Sequence, residues 1–241
     1  PADTIIDCTS GTTPALLGIA TATDSCDPSP SVSSDDVITA GSFPQEYTIT
    51  RRWIATDACL NRDTCFQIIT VQDTIRPVIV CPADTVIDCT SGTTPSFTGF
   101  ATATDSCDPA PGVTSSDVTA AGSCAQEYVI TRRWIATDAG FNRDTCYQII
   151  TVQDTMRPVI VCPADTVIDC TSGTTPVFTG SATATDSCDP APVITSSDVT
   201  AAGDCAQEYT ITRRWIATDA CLNRDTCYQM ITVQDTIRPV I

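Results

Sequence analysis

The sequence predicts an all-β fold, and three observations favour it. Runs that alternate apolar and polar residues and are rich in β-branched and aromatic side chains occupy Thr4–Asp7, Ala20–Thr23, Glu46–Thr56 and Cys65–Val71. Turn-forming Gly, Pro, Asp and Ser separate these runs, and no segment shows a sustained helical period. The pattern then recurs twice at a constant shift of 81 residues. Short strands, frequent turns and units of about 80 residues are typical of an immunoglobulin-like β-sandwich.

The repeats divide the chain into three tandem modules. The string CPADTVIDCTSGTTP begins at Cys81 and Cys162, and TRRWIATDA begins at Thr50, Thr131 and Thr212. We therefore expect module 1 at 1–75 with its first strand truncated, module 2 at 76–156, module 3 at 157–237, and the start of a further repeat at 238–241.

The linkers between modules favour a stiff arrangement. They contain proline rather than a Gly/Ser-rich stretch, so we expect disulfide-stapled modules that lie end to end as a rod. The chain would then be an excerpt of a longer array. The alternative is a polymerising subunit whose last strand adds to a sheet of the next subunit.

Charge and composition exclude several classes of function. The chain has 29 acidic residues against 12 cations, a net charge of −17, and every cation is arginine. Without histidine there is no imidazole acid or base, and without lysine there is no Schiff base. The negative charge argues against nucleic acid as a partner. No apolar run is long enough for membrane insertion. We therefore expect a protein that is not an enzyme.

Fifteen cysteines indicate an oxidising compartment, so we expect a secreted or cell-surface, extracellular protein. Module 3 has a full set of six, which are Cys162, Cys170, Cys188, Cys205, Cys221 and Cys227. Six cysteines allow fifteen connectivities. The ends of a strand of about nine residues lie ~30 Å apart, which argues against Cys170–Cys188. Loops that share one end of a sandwich favour Cys170–Cys205 and Cys188–Cys221, and neighbouring strands favour Cys162–Cys227.

The same scheme in the other modules predicts Cys81–Cys146, Cys89–Cys124 and Cys26–Cys59, and pairs Cys65 with the residue before Pro1. Two cysteines are left over, because Phe43 and Gly140 stand where other modules have cysteine. They are Cys8 and Cys107, which face the same junction in an end-to-end array, so we predict an inter-module Cys8–Cys107 disulfide. The alternative is two free or intermolecularly bonded thiols. Zinc is a weaker interpretation, since the chain has no CxxC pair and no histidine.

Three motifs recur in a fixed order. They are Arg76-Pro77-x-Ile79-x-Cys81-Pro82-x-Asp84, Trp134-x-Ala136-Thr137-Asp138-x-x-x-Asn142-x-x-x-Cys146 and Val152-x-Asp154. Together they resemble the hyalin repeat, in particular the cysteine-rich variants arrayed in large secreted or surface proteins of Bacteroidetes-type bacteria. The resemblance covers the whole chain and implies an extracellular immunoglobulin-like module used in adhesion or as a spacer. One departure is that Leu60, Phe141 and Leu222 stand where the family usually has glycine, which disfavours a left-handed turn there.

An arginine is predicted to lie in the core of each module. Tyr47, Ile49, Arg51 and Trp53 alternate along one strand, so their side chains share a face. A buried guanidinium needs an ion-pair partner and several acceptors. We expect a structural cluster in each module, made of Arg51, Asp36 and Gln67, of Arg132, Asp117 and Gln148, and of Arg213, Asp198 and Gln229.

Carboxylates concentrate at the module ends and suggest calcium, although no cofactor is required. Asp24, Asp27, Asp57 and Asp63 lie in two loops that should be adjacent, and Asp73 and Asp84 flank the linker. Oxygen-rich loops of this kind bind Ca²⁺ in many extracellular proteins. The alternative is that these aspartates form turns and caps, since no DxDxDG loop is present.

Asp-Thr followed by an aliphatic residue recurs near the linkers and resembles the O-glycosylation sequon of the same bacterial group. The candidate acceptors are Thr4, Thr74, Thr85, Thr155, Thr166 and Thr236. A glycan would add bulk and solubility without changing the fold.

The sequence therefore predicts a non-catalytic, extracellular structural or adhesive repeat array that forms a rod, stalk or filament. Its expected partner is itself, as a longer array or filament, with surface glycans or proteins as further possible partners. The alternative is an adhesin module that binds a ligand or glycan with the help of calcium. Near-identical loops in all three modules favour repetition over one specific ligand site.

Overall fold

The structure, a computed structural model, describes residues 1–43, 45–238 and 240. Among these residues there are sixteen β-strands and three four-residue helices, so the fold is all-β as predicted. None of the helices in the described part of the chain is long and apolar enough to cross a membrane. The short strand expected at 238–241 lies partly outside the described residues.

Module 1 is built on one four-stranded sheet. Its elements are β1 (Thr4–Asp7), α1 (Pro14–Leu17), β2 (Ser31–Ala40), β3 (Tyr47–Thr56) and β4 (Arg62–Gln72). The strand order is β1-β4-β3-β2. The short β1 runs parallel to β4, whereas β2, β3 and β4 form an antiparallel meander.

Modules 2 and 3 repeat this sheet and add a second one. Module 2 contains β5 (Val78–Val80), β6 (Thr85–Asp88), α2 (Pro95–Thr98), β7 (Thr102–Thr104), β8 (Gly112–Ala121), β9 (Tyr128–Thr137) and β10 (Arg143–Gln153). Module 3 contains β11 (Val159–Val161), β12 (Thr166–Asp169), α3 (Pro176–Thr179), β13 (Thr183–Thr185), β14 (Val193–Ala202), β15 (Tyr209–Thr218) and β16 (Arg224–Gln234). The added sheets are the antiparallel pairs β5–β7 and β11–β13, which complete an open two-sheet sandwich in each of these modules.

The described chain divides into two compact units. The first contains Pro1–Ala83, Gly99–Asp117 and Arg132–Gln148, and the second contains Asp84–Thr98, Val118–Thr131 and Ile149–Ile241. The division passes through module 2. The junction of modules 1 and 2 therefore lies within the first unit, and the junction of modules 2 and 3 lies within the second.

One face of the long central strands forms each core. In module 1, Ile49 and Trp53 of β3 and Ile69 and Val71 of β4 are almost fully buried. The residues between them alternate to the other face, which matches the period of two seen in the sequence. Burial of these β-branched and aromatic side chains stabilises each sheet by about 1.5–3 kcal/mol per side chain.

Two local features differ from the sequence-based expectation. Each of the three helices begins at the proline of a Thr-Pro pair, and none was predicted, because four residues are too few to show a helical period. The segment Ala20–Thr23 is not a strand, although its counterparts β7 and β13 are. Those counterparts pair with β5 and β11, and module 1 has no described strand at the matching position.

The left-handed turn that the sequence disfavoured is present in all three modules. Leu60, Phe141 and Leu222 have φ angles of 67°, 64° and 70°. Each lies in a turn between an aspartate and an asparagine. The backbone N–H of the asparagine donates to the aspartate side chain, for example Asn61 N to Asp57 Oδ1 at 2.8 Å. These bonds hold the backbone in a conformation that costs a β-carbon-bearing residue about 1–2 kcal/mol.

Candidate functional site at the module junctions

Disulfide bonds connect each module to the next. Cys8 of module 1 is bonded to Cys107 of module 2, and Cys89 of module 2 is bonded to Cys188 of module 3. The Cα atoms lie 6.0 and 5.9 Å apart, and both pairs are separated by 99 residues. The predicted Cys8–Cys107 disulfide is therefore present, and an equivalent disulfide forms at the second junction.

Local hydrogen bonds place these cysteines. Cys8 directly follows β1, and its N–H continues the parallel ladder by donating to the carbonyl of Gln72 at 2.9 Å. Cys107 lies in a tight loop in which its N–H donates to Asp105 Oδ1 at 2.7 Å. The strand ladder thus holds Cys8 in place, and the Asp105 side chain holds Cys107, so hydrogen bonds fix the two positions independently of the disulfide.

A second link connects modules 2 and 3. Cys124 is bonded to Cys221 across 97 residues, with a Cα separation of 5.2 Å. Residues 43 and 140 occupy the matching positions at the other junction, and they are phenylalanine and glycine. There the ring of Phe43 contacts the ring of Phe141 edge to face, with 5.2 Å between centroids.

One further bond closes each complete module internally. Cys81 is bonded to Cys146 and Cys162 to Cys227, as the sequence predicts, each across 65 residues. Both bonds join the segment that follows β5 or β11 to a long central strand. They hold the small second sheet against the large one.

Four predicted disulfides are wrong. Cys89–Cys124 and Cys188–Cys221 are not formed, because these four cysteines bond to the neighbouring module instead. Cys170–Cys205 and Cys26–Cys59 are not formed either, and their four cysteines are free. The prediction assumed that every bridge closes within one sandwich. Among the described cysteines, Cys26, Cys59, Cys65, Cys170 and Cys205 are unpaired.

Cys65 lies in an open groove of module 1. The groove, of about 300 Å³, is lined by Thr21, Thr23, Trp53, Asp63 and Cys65. The residues that match Thr21–Thr23 and Cys65 in module 2 contact β5 and Cys81. The expected pairing of Cys65 with the residue before Pro1 stays a prediction.

Aspartates lie beside the Cys8–Cys107 and Cys89–Cys188 disulfides. At the first junction, Asp73 and Asp105 have carboxylate oxygens within 4.8 Å of one another and of Cys107 Sγ. Asp138 is near enough for its charge to raise the pKa of Asp73. Both Asp73 and Asp138 are buried, with exposed fractions of 7% and 4%. Asp73 belongs to module 1 and the other two to module 2, so the cluster exists only where the modules meet.

The second junction repeats the same cluster. Asp154 and Asp186 lie within 4.8 Å of each other and of Cys188 Sγ. Asp154 and Asp219 are each 4% exposed. An asparagine ties the loop to the linker at both junctions, since Asn142 Nδ2 donates to the carbonyl of Asp73 and Asn223 Nδ2 to that of Asp154, each at 3.1 Å.

The electrostatics of the clusters reflect this crowding. Burial raises the pKa of the Asp73 carboxyl above its usual range, and the charges of Asp138, Asp105 and Asp7 act in the same direction. Burial likewise raises the pKa of Asp154. Asp7 differs, because the hydrogen bond from Thr74 Oγ1 at 2.6 Å lowers its pKa.

The residues proposed for calcium from the sequence separate into two groups. Asp73 lies in the first cluster, and Asp24 and Asp57 are the module 1 counterparts of Asp105 and Asp138. The other three accept hydrogen bonds from backbone N–H groups. Asp27 accepts from Ala58, Asp63 from Thr64, and Asp84 from Ile149. The sequence reasoning thus named loops whose module 2 counterparts lie in the cluster, but it missed that the cluster combines Asp73 with the loops of the following module. Calcium binding stays a prediction. The 81-residue shift was the signal that could have shown this.

Each module has its predicted buried arginine. Arg51 is 2% exposed and forms a two-pronged ion pair with Asp36, at 2.8 and 2.9 Å. Its Nη2 also donates to the carbonyl of Thr12 at 2.6 Å. The Arg132–Asp117 and Arg213–Asp198 pairs repeat this geometry. The guanidinium lowers the pKa of each of the three aspartates.

The glutamines of the predicted clusters have another role. Gln67 lies opposite Arg51 in the sheet register, but its Nε2 donates to the carbonyls of Ala2 and Leu17, both at 3.0 Å. Gln148 and Gln229 likewise donate to Ala83 and Ala164. Among the described residues, Arg51 and Gln67 therefore form no hydrogen bond with each other, so the predicted partnership is wrong in module 1. Gln67 instead holds the segments that contain Ala2 and Leu17.

The candidate glycosylation sites fall into two structural classes. Thr4, Thr85 and Thr166 begin short parallel strands and are half-buried. Thr74, Thr155 and Thr236 are exposed, but their hydroxyls donate to Asp7, Asp88 and Asp169. A glycan on the second class would remove the hydroxyl proton from these bonds. Glycosylation stays a prediction.

Comparison with known proteins gives the following. No protein-family model matches the chain, and no curated protein matches it in sequence. Among solved structures, the chain is similar to cadherin domains 1–4 of protocadherin gamma B7, with 11% identity, a TM-score of 0.34, and coverage of 86% of this chain and 67% of that one. It is also similar to mouse PcdhgC3 EC1-3, with 14% identity, a TM-score of 0.33, and coverage of 79% and 77%.

Proposed function

We propose that this chain is a non-catalytic, extracellular structural and adhesive repeat array in which neighbouring modules are covalently tied into a rod, stalk or filament. The observation that carries the proposal is the disulfide between successive modules, Cys8–Cys107 and Cys89–Cys188, at one constant separation. Tandem domains joined only by a linker need no such bond. A bond at every junction is suited to an array that must keep its length under tension.

The covalent connectivity supports a mechanical role. The shortest path through bonded atoms runs along residues 1–8, crosses to 107–124, and crosses again to 221–241. This path has about 47 residues and could extend to roughly 160 Å, whereas the 241-residue chain without disulfides could reach roughly 800 Å. Tension would therefore pass across the junctions by covalent bonds, and most of each sandwich would be shielded from force.

The bonds also support an extracellular location. Ten of the fifteen cysteines are paired, in five disulfides that persist only in an oxidising compartment. Covalent ties compensate for the small core of a module of about 80 residues. Each would stabilise the folded state by about 2–4 kcal/mol.

The unpaired cysteines indicate that the partner is another copy of the same module. Cys170 and Cys205 match Cys89 and Cys124, which bond to the next module. Cys26 matches Cys107 and Cys188, and Cys59 matches Cys221, which bond to the preceding module. Each of these four cysteines thus has the chemistry of a further junction, formed within a longer array or between two copies.

Single-molecule force spectroscopy tests the proposal. The oxidised chain, pulled from its two ends, should extend by no more than the ~160 Å of the covalent path, and the reduced chain should release close to ~800 Å in several steps. A chain in which Cys8 and Cys124 are replaced by serine provides the control, because its shortest path then includes all of module 1. That path runs along residues 1–81, 146–162 and 227–241, about 113 residues that could extend to roughly 380 Å. Full extension of the oxidised native chain would disprove the mechanical role.

A second candidate function is glycan binding, which one surface feature favours. An exposed aromatic residue occupies the same outer position in every module, Phe66, Tyr147 and Tyr228, with exposed fractions of 60%, 59% and 62%. In the register of the sheet, Phe66 lies opposite Arg52, and Tyr228 lies opposite Arg214. Aromatic faces beside hydrogen-bond donors are suited to sugars. Replacing all three by alanine should abolish glycan-array binding if this function holds.

The relation to hyalin repeats stays part of the proposal. It rests on the three motifs of the sequence and on the immunoglobulin-like modules into which they fold. An adhesive spacer is the role that this resemblance implies, in agreement with the junction disulfides.

A further inference from the structure

We infer that each module junction binds one calcium ion between the linker aspartate of one module and two loops of the next. The first site would be formed by Asp73, Asp105 and Asp138, and the second by Asp154, Asp186 and Asp219. The inference goes beyond the proposed array function and does not depend on it, because a divalent cation could bind whether or not the array bears tension.

Unpartnered buried oxygens are the first evidence. Asp154 is 4% exposed, its Oδ1 accepts the N–H of Met156 at 3.1 Å, and its buried Oδ2 has no hydrogen-bond partner among the described residues. Asp138, also 4% exposed, has an unpartnered Oδ2 within the same described set. A buried carboxylate oxygen without a donor is costly, so these atoms point to a missing ligand.

The neighbouring loop offers a matching oxygen at both junctions. Asp105 Oδ1 accepts two backbone N–H groups, from Cys107 at 2.7 Å and from Asp108 at 2.9 Å. Its Oδ2 is buried and, like that of Asp186, has no partner in the part of the chain that the structure describes. One oxygen of each loop aspartate is thus fixed by the backbone, and the other is left for a ligand.

The spacing of these groups suits a single ion. The carboxylate oxygens of Asp154 and Asp186 lie within 4.8 Å of one another, as do those of Asp73 and Asp105. Two oxygens that each lie about 2.3–2.6 Å from a common Ca²⁺ must be no more than ~5 Å apart. Without a cation, these buried carboxylates would repel one another.

The donor set selects the kind of cation. Every available ligand atom is an oxygen, because Cys107 and Cys188 are bonded in disulfides and offer no thiolate. A set of aspartate oxygens drawn from a linker and two loops favours Ca²⁺, which accepts six to eight ligands in irregular geometry, over Mg²⁺, which requires an octahedron. Softer metals such as zinc prefer sulfur or imidazole.

The repeat provides matched controls within the same chain. Asp235 is the module 3 counterpart of Asp73 and Asp154, but it is exposed and no following loop faces it in the described residues. Asp24 of module 1 is likewise the counterpart of Asp105 and is exposed. Each end of the chain therefore carries half of a site, and the inference assigns two ions to the three modules.

Calcium titration of the chelator-treated, oxidised 241-residue chain tests the stoichiometry by calorimetry. We expect two ions per native chain, one each for Asp73→Asn and Asp154→Asn, none for the double variant, and two for the control Asp235→Asn. Magnesium should bind at least tenfold more weakly. No binding at millimolar calcium, or two ions retained by the double variant, would overturn the inference.

A stability measurement keeps the test valid if binding is weak. Asp154→Asn removes a buried charge, so in chelator its melting temperature should exceed that of the native chain. In millimolar calcium the native chain should gain stability and the variant should not, which reverses their order. Asp235→Asn should follow the native chain in both conditions. The same order of melting temperatures with and without calcium would contradict a junction ion.

Discussion

Phe43 and Phe141 meet edge to face at 5.2 Å across a module junction, where the next junction has the Cys124–Cys221 disulfide. Modules 1 and 2 each lack one cysteine, at residues 43 and 140. These two positions match Cys124 and Cys221, so a single disulfide is missing at the first junction. Glycine at 140 removes a side chain, and two aromatic rings supply a non-covalent contact in place of the bond. The apparent irregularity of modules 1 and 2 is one paired replacement at one interface.

Restoring both cysteines should restore the bond. We expect the double variant Phe43→Cys/Gly140→Cys, oxidised in air, to form a sixth disulfide, detected by peptide mapping and in intact mass as the loss of two hydrogen atoms. A β-carbon at residue 140 would lie 3.2 Å from the carbonyl oxygen of Asp73, so the loop must shift slightly. Either single variant should leave its new thiol open to alkylation, and a free thiol pair in the double variant would contradict the assignment.

Adjacent aspartates of β2 should differ greatly in their contribution to stability. Asp36 pairs with the buried Arg51, whereas Asp35 pairs with Arg52, whose side chain is 48% exposed. Asp36→Ala leaves a buried guanidinium without its partner and should lower the free energy of unfolding by about 2–4 kcal/mol. Asp35→Ala should cost much less, because water screens an exposed ion pair. Calorimetry of the oxidised chain compares them, and equal losses would argue against burial as the cause.

The positive φ angles in the late turn of each module lead us to expect that glycine there would stabilise the fold. Leu222 has a φ of 70° and a side chain that is 72% exposed, so glycine would relieve strain and lose little packing. We expect Leu222→Gly to raise the free energy of unfolding by about 1 kcal/mol, reduced somewhat by the entropy of glycine in the unfolded chain. Phe141→Gly is the contrast, because it also removes the ring contact with Phe43 and should stabilise less or destabilise.

Stability should respond to pH in two opposite ways in chelator. Asp36, Asp117 and Asp198 have lowered pKa values in the folded chain. Their ionised form therefore stabilises the fold at pH values above the ordinary aspartate pKa near 3.8, and this stabilisation is lost as the pH falls through the folded-state pKa. The raised pKa of Asp73 and Asp154 has the reverse sign, so acidification from neutral pH towards the ordinary value relieves a penalty.

We therefore expect a stability maximum at mildly acidic pH without calcium. Denaturant titrations across the pH range should show it. The double variant Asp73→Asn/Asp154→Asn should lose most of the decline between that maximum and neutral pH. An unchanged decline would place the titrating groups elsewhere.

Thiol labelling should separate the cysteines into two sets. In the folded, unreduced chain we expect alkylation of Cys26, Cys59, Cys65, Cys170 and Cys205, and of no others in the described set. Cys170 should react slowest, since burial and the charges of Asp235 and Asp169 raise its thiol pKa and deplete the reactive thiolate. Labelling of Cys89 or Cys188 would contradict the inter-module bonds.

The sequence was sufficient for features governed by local periodicity. The period of two placed Ile49, Arg51 and Trp53 on one inward face, and the repeat fixed the module length. The buried arginine and its aspartate followed from the same alternation. In contrast, the helix Pro14–Leu17 and the positive φ of Leu60 depend on single turns, for which neighbouring hydrogen bonds outweigh residue preference.

The junctions could be predicted only in part. Cys8–Cys107 was found because two cysteines remained after pairing within modules, yet that pairing was itself wrong for Cys89 and Cys188. Sequence periodicity describes one module at a time, whereas the inter-module disulfides join residues that are 97 to 99 positions apart. The acidic clusters likewise combine residues of two modules. Asp154 and Asp186 belong to different modules, and their proximity depends on how the ends of two sandwiches meet.

The overlapping spans of the five disulfides have a consequence for survival outside the cell. The spans 8–107, 81–146, 89–188, 124–221 and 162–227 leave no gap between residues 8 and 227. A protease that cuts one peptide bond anywhere in that region therefore cannot divide the molecule. The two fragments of a nicked chain would stay joined by the disulfide that spans the cut, and they would separate only after reduction.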